Sequence, residues 1–517
     1  MADMERVAWV LATLLGYAVL CLWSFRHVLF ARRREPVGAA GDDFVLVAYA
    51  SQGGTAAELA RDSAALLEPH VAVRVMALNQ VNDQVLSGAR RALFIASTYG
   101  EGEPPDNGIA FQRRYLSSAG ALDLSHLQFA VLALGDRTYR QFCEFGRQLQ
   151  TGLEGLGASP LWGLTEAASD ELSAVDGKIA DWCRRLRTFL LGMHSEVEPV
   201  SVPVPVPGCE FAPWRLASRH HLNPGSPGGP AFYLSLEPST EMPLWEAGDI
   251  AVIQPRNSAA LCDAALARLA RDGAEQVTCR GVARPLREWL AESRLPALDA
   301  LAPVPSLPEW LAALPALPTR EYSIASVPEE GAIHLLVRQQ TDAEGCLGAG
   351  SGWLTSHAAI GDTMALRVRN NPGFRVPESD CPLILIGSGT GLAGLRAHLS
   401  ARELAGATGR NWLLFGERTR AYDNLLAEDL ERWHASGLLE RLDQVFSRDG
   451  DPCRYVQDLL PQVADELRRW LAEGAVICVC GSLTGVGAGV EQALVVCLGG
   501  EQLDELKISG RYRRDLY

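Results

Sequence analysis

The chain has 517 residues, room for three to four domains of ordinary size. Hydrophobic residues make up 48 % and charged ones 21 %, which excludes a disordered, collagen-like or coiled-coil protein. Twelve cysteines without one Cys-x-x-Cys pair exclude a disulfide scaffold, a zinc ribbon and a ferredoxin-type cluster, so no metal site is expected; a net charge of −15 argues against nucleic acid as the main partner.

The first element is an uncharged run from Val7 to Phe25. Read as a helix, it spans about 29 Å, close to the hydrocarbon core of a bilayer. Arg6 precedes it, whereas Arg26, Arg32, Arg33 and Arg34 follow. That asymmetry predicts a single-pass anchor in the inner (cytoplasmic) membrane, with everything after Phe30 in the cytoplasm. A cleaved signal peptide is the rival reading, but it expects its positive charge before the apolar run.

From Phe44 the chain alternates short apolar strands with helices. Strands are predicted at Phe44–Ala50, Val71–Ala77, Ala92–Ala96 and Phe129–Leu134. Helices are predicted at Thr55–Leu67 and Arg140–Leu153, and another ends near Leu191. This pattern implies a parallel sheet covered on both faces. Residues 195–207 alternate proline and read as a stiff, extended linker. Strand-like runs follow at Phe232–Leu236, Ile250–Ile253, Tyr322–Ile324, Ile333–Val337 and Met364–Val368, interrupted from Ala259 to Leu317 by an Ala/Leu-rich stretch that reads as helical. From Pro382 the βα alternation resumes, with a helix at Leu392–Leu404.

The chemistry-bearing residues fall in loops after strands. Ser51-Gln52-Gly53-Gly54-Thr55, leading into Ala56, offers hydroxyls and helix N-terminal amides to a phosphate without a positive side chain. Ser97-Thr98-Tyr99-Gly100-Glu101-Gly102 and Leu134-Gly135-Asp136, with Tyr139, follow two further strands. All three loops converge on the carboxyl edge of one sheet, where open α/β folds bind ligands. Tyr99 and Tyr139 would bracket a planar ring such as a flavin. Arg320 of Arg-Glu-Tyr322-Ser323 suits a pyrophosphate. Gly387-Ser-Gly389-Thr390-Gly391 lies between a strand and a helix and suits a second one.

These motifs resemble, in order, those of the diflavin reductases, the family of the sulfite reductase flavoprotein subunit and cytochrome P450 reductase. The first loop resembles the family's Ser-Gln-Thr-Gly-Thr, with Gly53 in place of the middle threonine; the second matches in full; the third matches with Phe142 and Cys143. The resemblance implies FMN on these loops. It implies FAD on Arg320, Tyr322, Ser323, Gly348, Gly350 and Ser351, with Trp353-Leu354 after them and the stretch Trp245–Asp249, Pro255 and Asn257 opening that domain. It implies NADPH on the Gly387–Gly391 loop and on a 2′-phosphate clamp of Ser447, Arg448, Arg454, Tyr455 and Gln457. Four family residues are replaced, by Gly53, Gly394, Cys453 and Ser482. Cys480, Asp515 and Ser323 are implied at the hydride-transfer point, with Tyr517 of the segment Gly510–Tyr517 as a lid over the FAD ring.

The expected fold is therefore α/β multidomain. It comprises a transmembrane anchor and basic flank (1–34), a flavodoxin-like FMN domain (43–192) and a Pro-rich linker (193–208). An FAD-binding β-barrel (209–258 and 318–376) carries a short helical connecting insert (259–317), and a ferredoxin-reductase-type NADPH domain (377–517) completes the chain. The expected activity is NADPH-dependent electron transfer through FAD and FMN to a one-electron protein acceptor, with a haem protein favoured. A ferric-siderophore or ferric-chelate reductase, or a flavin-binding membrane scaffold without output, is the alternative. Residues 42–194 carry thirteen basic and eighteen acidic side chains, a net charge of −5 that favours a basic docking face on the acceptor.

Overall fold

In a computed structural model of the chain, the described residues are 44–99, 102–117, 122–137, 140–168, 177–193, 211–279, 281–343, 345–377, 380–450 and 452–517. The anchor at 1–34, most of the linker at 193–208, and Gly100, Glu101 and Tyr139 lie outside them. Among the described residues no helix is long and apolar enough to cross a membrane.

The first sheet is parallel. Its strands are β1 (Phe44–Ala50), β2 (Ala72–Ala77), β3 (Arg91–Ser97), β4 (Gln128–Gly135), β5 (Ser159–Pro160) and β6 (Thr165–Ala168), in the order β2-β1-β3-β4-β5 with β6 also on β4. Alternate residues of β1 serve two cores. Leu46, Ala48 and Ala50 join one; Val45 and Val47 join the other, beneath helices Thr55–Leu67 and Lys178–Met193. Burial on both faces explains why these strands read as unbroken apolar runs. The strand order changes direction at β1 and β3, which opens a crevice at their carboxyl ends.

The second sheet is antiparallel: β7 (Ala212–His221), β8 (Ala231–Pro238), β9 (Ile250–Gln254), β12 (Arg320–Ser323), β13 (Ile333–Arg338) and β14 (Thr363–Arg369), after a separate hairpin of β10 (Gln276–Cys279) and β11 (Val282–Pro285). The expected barrel is an open path, β12-β9-β14-β7-β8-β13. Its end strands are tied just past β12, where the Ala325 N–H donates to the His334 carbonyl at 2.8 Å. Strand β7 was missed by the sequence reading because Arg215, Arg219 and two histidines interrupt its apolar alternation, while Trp214 and Leu216 point into the core. The 259–317 insert is not wholly helical, a second correction. Helices Ala259–Leu269, Leu286–Glu292 and Leu307–Ala313 share it with the β10–β11 hairpin, whose Val277 and Cys279 alternate into the insert's small core.

The third sheet is parallel, with β15 (Leu383–Ser388), β16 (Asn411–Glu417), β17 (Arg441–Phe446), β18 (Val476–Gly481) and β19 (Tyr512–Leu516) in the order β17-β16-β15-β18-β19. The segment that carries Tyr517, the residue expected as a lid, is largely an edge strand. β19 pairs with β18 so that Asp515 lies beside Cys480. Only Tyr517, beyond the ladder, remains half exposed.

Candidate functional site

The end of β12 meets the ends of β18 and β19, and there the three residues predicted for hydride transfer come together. The Ser323 hydroxyl donates to Asp515 Oδ2 at 2.5 Å. Cys480 Sγ lies 3.8 Å from the Ser323 oxygen and 3.7 Å from the same carboxylate oxygen. All three are buried. Two small residues make this approach possible. A Cβ on Gly391 would clash with the Cys480 carbonyl oxygen, and one on Gly394 would lie 3.2 Å from Cys480 Sγ. Burial pushes the Asp515 carboxyl above the usual carboxylate range, against the opposing pull of Ser323 and Arg369. Burial, with the Asp515 charge second, pushes the Cys480 thiol well up, so the sulfur stays protonated at neutral pH. The cluster is a protonated thiol and a hydroxyl converging on one carboxylate.

Two clefts open beside it. One, of about 360 Å³, is lined by Arg320, Tyr322, Ser323, Gly348, Gly350 and Ser351, all predicted for FAD, together with Tyr517. Arg320 Nη1 donates to the Pro318 and Thr319 carbonyls at 3.1 and 3.0 Å, which holds the guanidinium at the mouth. The Ser351 hydroxyl accepts from the Gln340 N–H at 3.0 Å. The other cleft, of about 740 Å³, gathers Gly389 and Thr390 with Ser447, Arg448, Arg454, Tyr455 and Gln457. Gly387 lies beneath it, against the Cys480 carbonyl. The Tyr455 N–H donates to Asp458 at 2.9 Å, which sets the turn that presents Arg454 and Tyr455. Arg338, paired with Glu417, and Arg418, one of whose buried guanidinium nitrogens lacks a partner among the described residues, also line this cleft and were not singled out from sequence. A guanidinium with one unpaired nitrogen among three further arginines fits an anionic dinucleotide. Tyr517 lines both clefts, with its hydroxyl 2.9 Å from Thr390 Oγ1.

On the far side of β19, the predicted FMN loops form a smaller cleft of about 200 Å³. Gln52, Gly53, Ser97, Thr98, Tyr99, Asp136 and Phe142 line it, and Leu483, Arg514, Asp515 and Leu516 close it. The phosphate loop is built from its own backbone. Gly54 adopts a φ of 89°, which an L side chain rarely takes, and so turns the amides of helix Thr55–Leu67 toward the loop. Ser51 Oγ is buried there with no partner among the described residues, as an anion-binding hydroxyl without its anion would be. Gln52 is locked to Asp106 by two hydrogen bonds, at 2.9 and 3.0 Å. Three predicted contacts act otherwise than through a free side chain. Ala56 is fully buried, so only its amide faces the loop; the Thr98 hydroxyl accepts from the Phe145 N–H at 3.2 Å; and Leu134 contributes its carbonyl to Thr98. Gly102 and Gly135 leave room for Gln141 and Cys143 respectively.

Sequence reasoning also missed Arg514, which is 2 % exposed. It pairs with Asp106 and with Glu491, the latter at 2.6 Å, and its guanidinium carbon lies 4.5 Å from the centre of the Tyr99 ring. Burial opposes its charge, but Asp106, two tyrosines and Glu491 more than offset that and hold it protonated.

Residues 47–182 match the family model for flavodoxin. Nearly the whole chain is similar to the flavoprotein alpha-component of NADPH sulfite reductase. The Neisseria meningitidis serogroup C protein is 30 % identical over 92 % of this chain and 89 % of its own length. The Vibrio cholerae protein is 28 % identical over 99 % and 93 %, and that of Bacillus subtilis 28 % over 92 % and 89 %. With the first-sheet order, three clefts about one strand and similarity that runs from end to end, the chain belongs to the diflavin reductase family, whose members work with FMN, FAD and NADPH.

Proposed function

We propose that this diflavin oxidoreductase is held at the membrane by residues 1–34 and passes electrons from NADPH through FAD and FMN to a one-electron acceptor, a haem protein. The observation that carries the electron-transfer reading is the buried contact of Ser323, Cys480 and Asp515 where the two dinucleotide clefts meet, with the FMN loops just across β19. When bound, the nicotinamide supplies a hydride, and the flavins divide the electron pair into single steps.

The chain's own residues supply position and electrostatics. Arg448, Arg454 and Arg418 hold the phosphate end of the nicotinamide cofactor. Tyr517 covers the place where the nicotinamide enters, and its hydroxyl contact with Thr390 keeps that cover in place until the cofactor displaces it. Asp515 orients the Ser323 hydroxyl and the Cys480 thiol by accepting from both. Tyr99 offers a ring face to the flavin, and its other neighbour, Arg514, holds it there. The uncharged run Val7–Phe25 and the arginines after it support the anchor, and the −5 charge of residues 42–194 supports a basic acceptor face. The relatives' place in NADPH sulfite reductase supports an acceptor of the haem class.

The test uses full-length protein purified from its native membrane in mild detergent. Anaerobic NADPH should bleach the flavin absorbance and shift a co-purified haem band, and the protein should turn over cytochrome c. Recovery in the soluble fraction would remove the anchor from the proposal. Flavin bleaching without any haem band would move the acceptor to a diffusible ferric chelate. Flavin that NADPH does not bleach would leave only a binding scaffold.

A further inference from the structure

The FMN phosphate loop is not finished by its own lobe. Helix Thr55–Leu67 and its loop face the segment 369–375 of the antiparallel sheet domain, more than three hundred residues away in sequence. The Asn370 carbonyl oxygen would lie 2.6 Å from a Cβ on Gly54, and the Gln52 carbonyl oxygen 3.5 Å from one on Gly373. At this junction Arg369, 3 % exposed, reaches across. One of its terminal nitrogens donates to the Thr55 hydroxyl; the other pairs with Glu321 at 2.5 Å and lies 3.8 Å from where a Cβ on Gly53 would sit. Arg367, two residues before it on the same strand, pairs with Glu58 one helical turn along.

Several buried polar groups at this junction lack partners among the described residues. They are Ser51 Oγ in the loop, Arg369 Nε beside it, and both side-chain amide atoms of Asn371, a residue with no exposed surface. Buried groups of this kind are rarely left unpaired, and four at one junction are costly. Among the described residues the arginine's only ion-paired carboxylate, Glu321, is half exposed, and Asp515 acts on it only at a distance, so the buried positive charge is only partly compensated. A phosphate dianion would complete the set. It accepts from hydroxyls, from helix amides and from a guanidinium, and it brings the missing negative charge. Gly53 is part of the same argument: a side chain there would stand between the guanidinium and the loop.

We propose that Arg369, assisted by Asn371, is a ligand of the FMN 5′-phosphate supplied in trans by the sheet domain. FMN is then held more tightly when the two lobes are docked than when they are apart. This rests on the FMN reading of the Ser51–Thr55 loop. Coupling of this kind is reciprocal, so the flavin phosphate also favours the docked arrangement.

The test separates phosphate from ring. Full-length protein is stripped of FMN and titrated with FMN and, separately, with riboflavin, which has the ring and no phosphate. Flavin fluorescence reports binding, and bound FAD is measured alongside. Arg369→Gln should weaken FMN binding about tenfold or more while leaving riboflavin binding and FAD content unchanged. Glu321→Gln removes the competing carboxylate and should tighten FMN binding about threefold, again with riboflavin unchanged. This second variant keeps the question open to test if Arg369→Gln folds poorly. Equal weakening of FMN and riboflavin would make Arg369 an interlobe support only and overturn the proposal. So would unchanged FMN affinity in both variants. A wild-type protein that takes up neither flavin at this site would overturn the FMN reading itself, and the proposal with it.

Discussion

Neighbours on β19, Arg514 and Asp515 point to opposite sides of the strand and meet different company. Arg514 reaches Asp106 and the Tyr99 ring of the FMN lobe, while Glu491 and Tyr512 of its own domain flank it. Asp515 faces the Ser323 hydroxyl and the Cys480 thiol, with Arg369 acting on it only as a charge. The first charge is matched by partners, and its surroundings keep it charged. The second is under-matched, and burial raises its pKa. Matched buried charges hold parts of a molecule in register, whereas a strained, under-matched one is the usual mark of a reacting site. The pair places docking and chemistry on the two faces of one strand, about one residue apart.

If that division is right, the two residues fail differently. The largest effect is expected at Asp515→Ala. Without the common acceptor, the Ser323 hydroxyl and the Cys480 thiol lose their orientation, and misplacement on this scale costs about a hundredfold in rate. Stopped-flow bleaching of flavin by NADPH should slow by that factor, while dithionite still bleaches both flavins and the FAD content is unchanged. An unaltered bleaching rate would mean that Asp515 only supports the strand. Arg514→Ala should do the reverse. NADPH should still reduce the first flavin at near the wild-type rate, but Asp106 is left without its cation and Glu491 keeps only Lys507. Removing one partner of a buried pair costs about 3 kcal/mol or more; because both carboxylates here are partly open to water, about 2 kcal/mol is expected. The urea midpoint would show it, and X-ray scattering should show a larger radius as the lobes separate. A variant of unchanged midpoint and size would remove Arg514 from the docking contact.

Local features were legible in the sequence, and contacts across the molecule were not. Helices Thr55–Leu67 and Leu392–Leu404 have the bounds their glycine loops and apolar spacing predict, and β1 coincides with its apolar run. The loops after β1, β3, β4 and β15 announced themselves through small residues after buried strands. β7 was hidden because arginines and histidines interrupt its apolar alternation, and the β10–β11 hairpin because alanine and leucine on either side overwhelmed a short alternation. Arg369, Arg418 and Arg514 gave no signal at all. Arg514 meets Asp106 across 408 residues, and nothing in the spacing of either reveals the other. The one hint was compositional: Gly53 leaves the phosphate loop short of a hydroxyl, and the compensation lies in another domain.

A third charge sharpens the comparison from the solvent side. Arg448 lines the open end of the nicotinamide cleft and, unlike Arg514, owes its place to backbone: its N–H donates to the Arg418 carbonyl at 2.8 Å. Arg448→Ala should therefore leave stability alone and narrow the preference for NADPH over NADH by about tenfold, the worth of one charge-assisted phosphate contact. Comparison of kcat/KM for the two cofactors would measure it. An unchanged ratio would move the 2′-phosphate to Arg454 or Arg418.

The smallest effect is the pH dependence of stability, and it sets Asp515 against a carboxylate of the opposite kind. Glu330 is buried too, which by itself would raise its pKa, but His334, Arg396, the Val327 N–H and the Ser400 hydroxyl pull it down to about 2. Between that value and the ordinary carboxyl pKa near 4.5, the unfolded chain binds the extra proton, so the stability Glu330 contributes is complete above that range and is lost as pH falls through it. Asp515 works the other way. Its folded pKa lies above the ordinary 3.8, so from there upward the folded protein holds the extra proton, and stability falls as pH rises until the folded carboxyl is itself ionised. Thermal midpoints across pH 3 to 7 should therefore diverge for two variants. Relative to wild type, Asp515→Asn should gain as pH rises, because asparagine is never charged. Glu330→Gln should be furthest below wild type near neutrality and draw closer as pH falls toward 3. Parallel curves for Asp515→Asn and wild type would mean that the Asp515 charge is matched after all, and the contrast between the two faces of β19 would then rest on geometry alone.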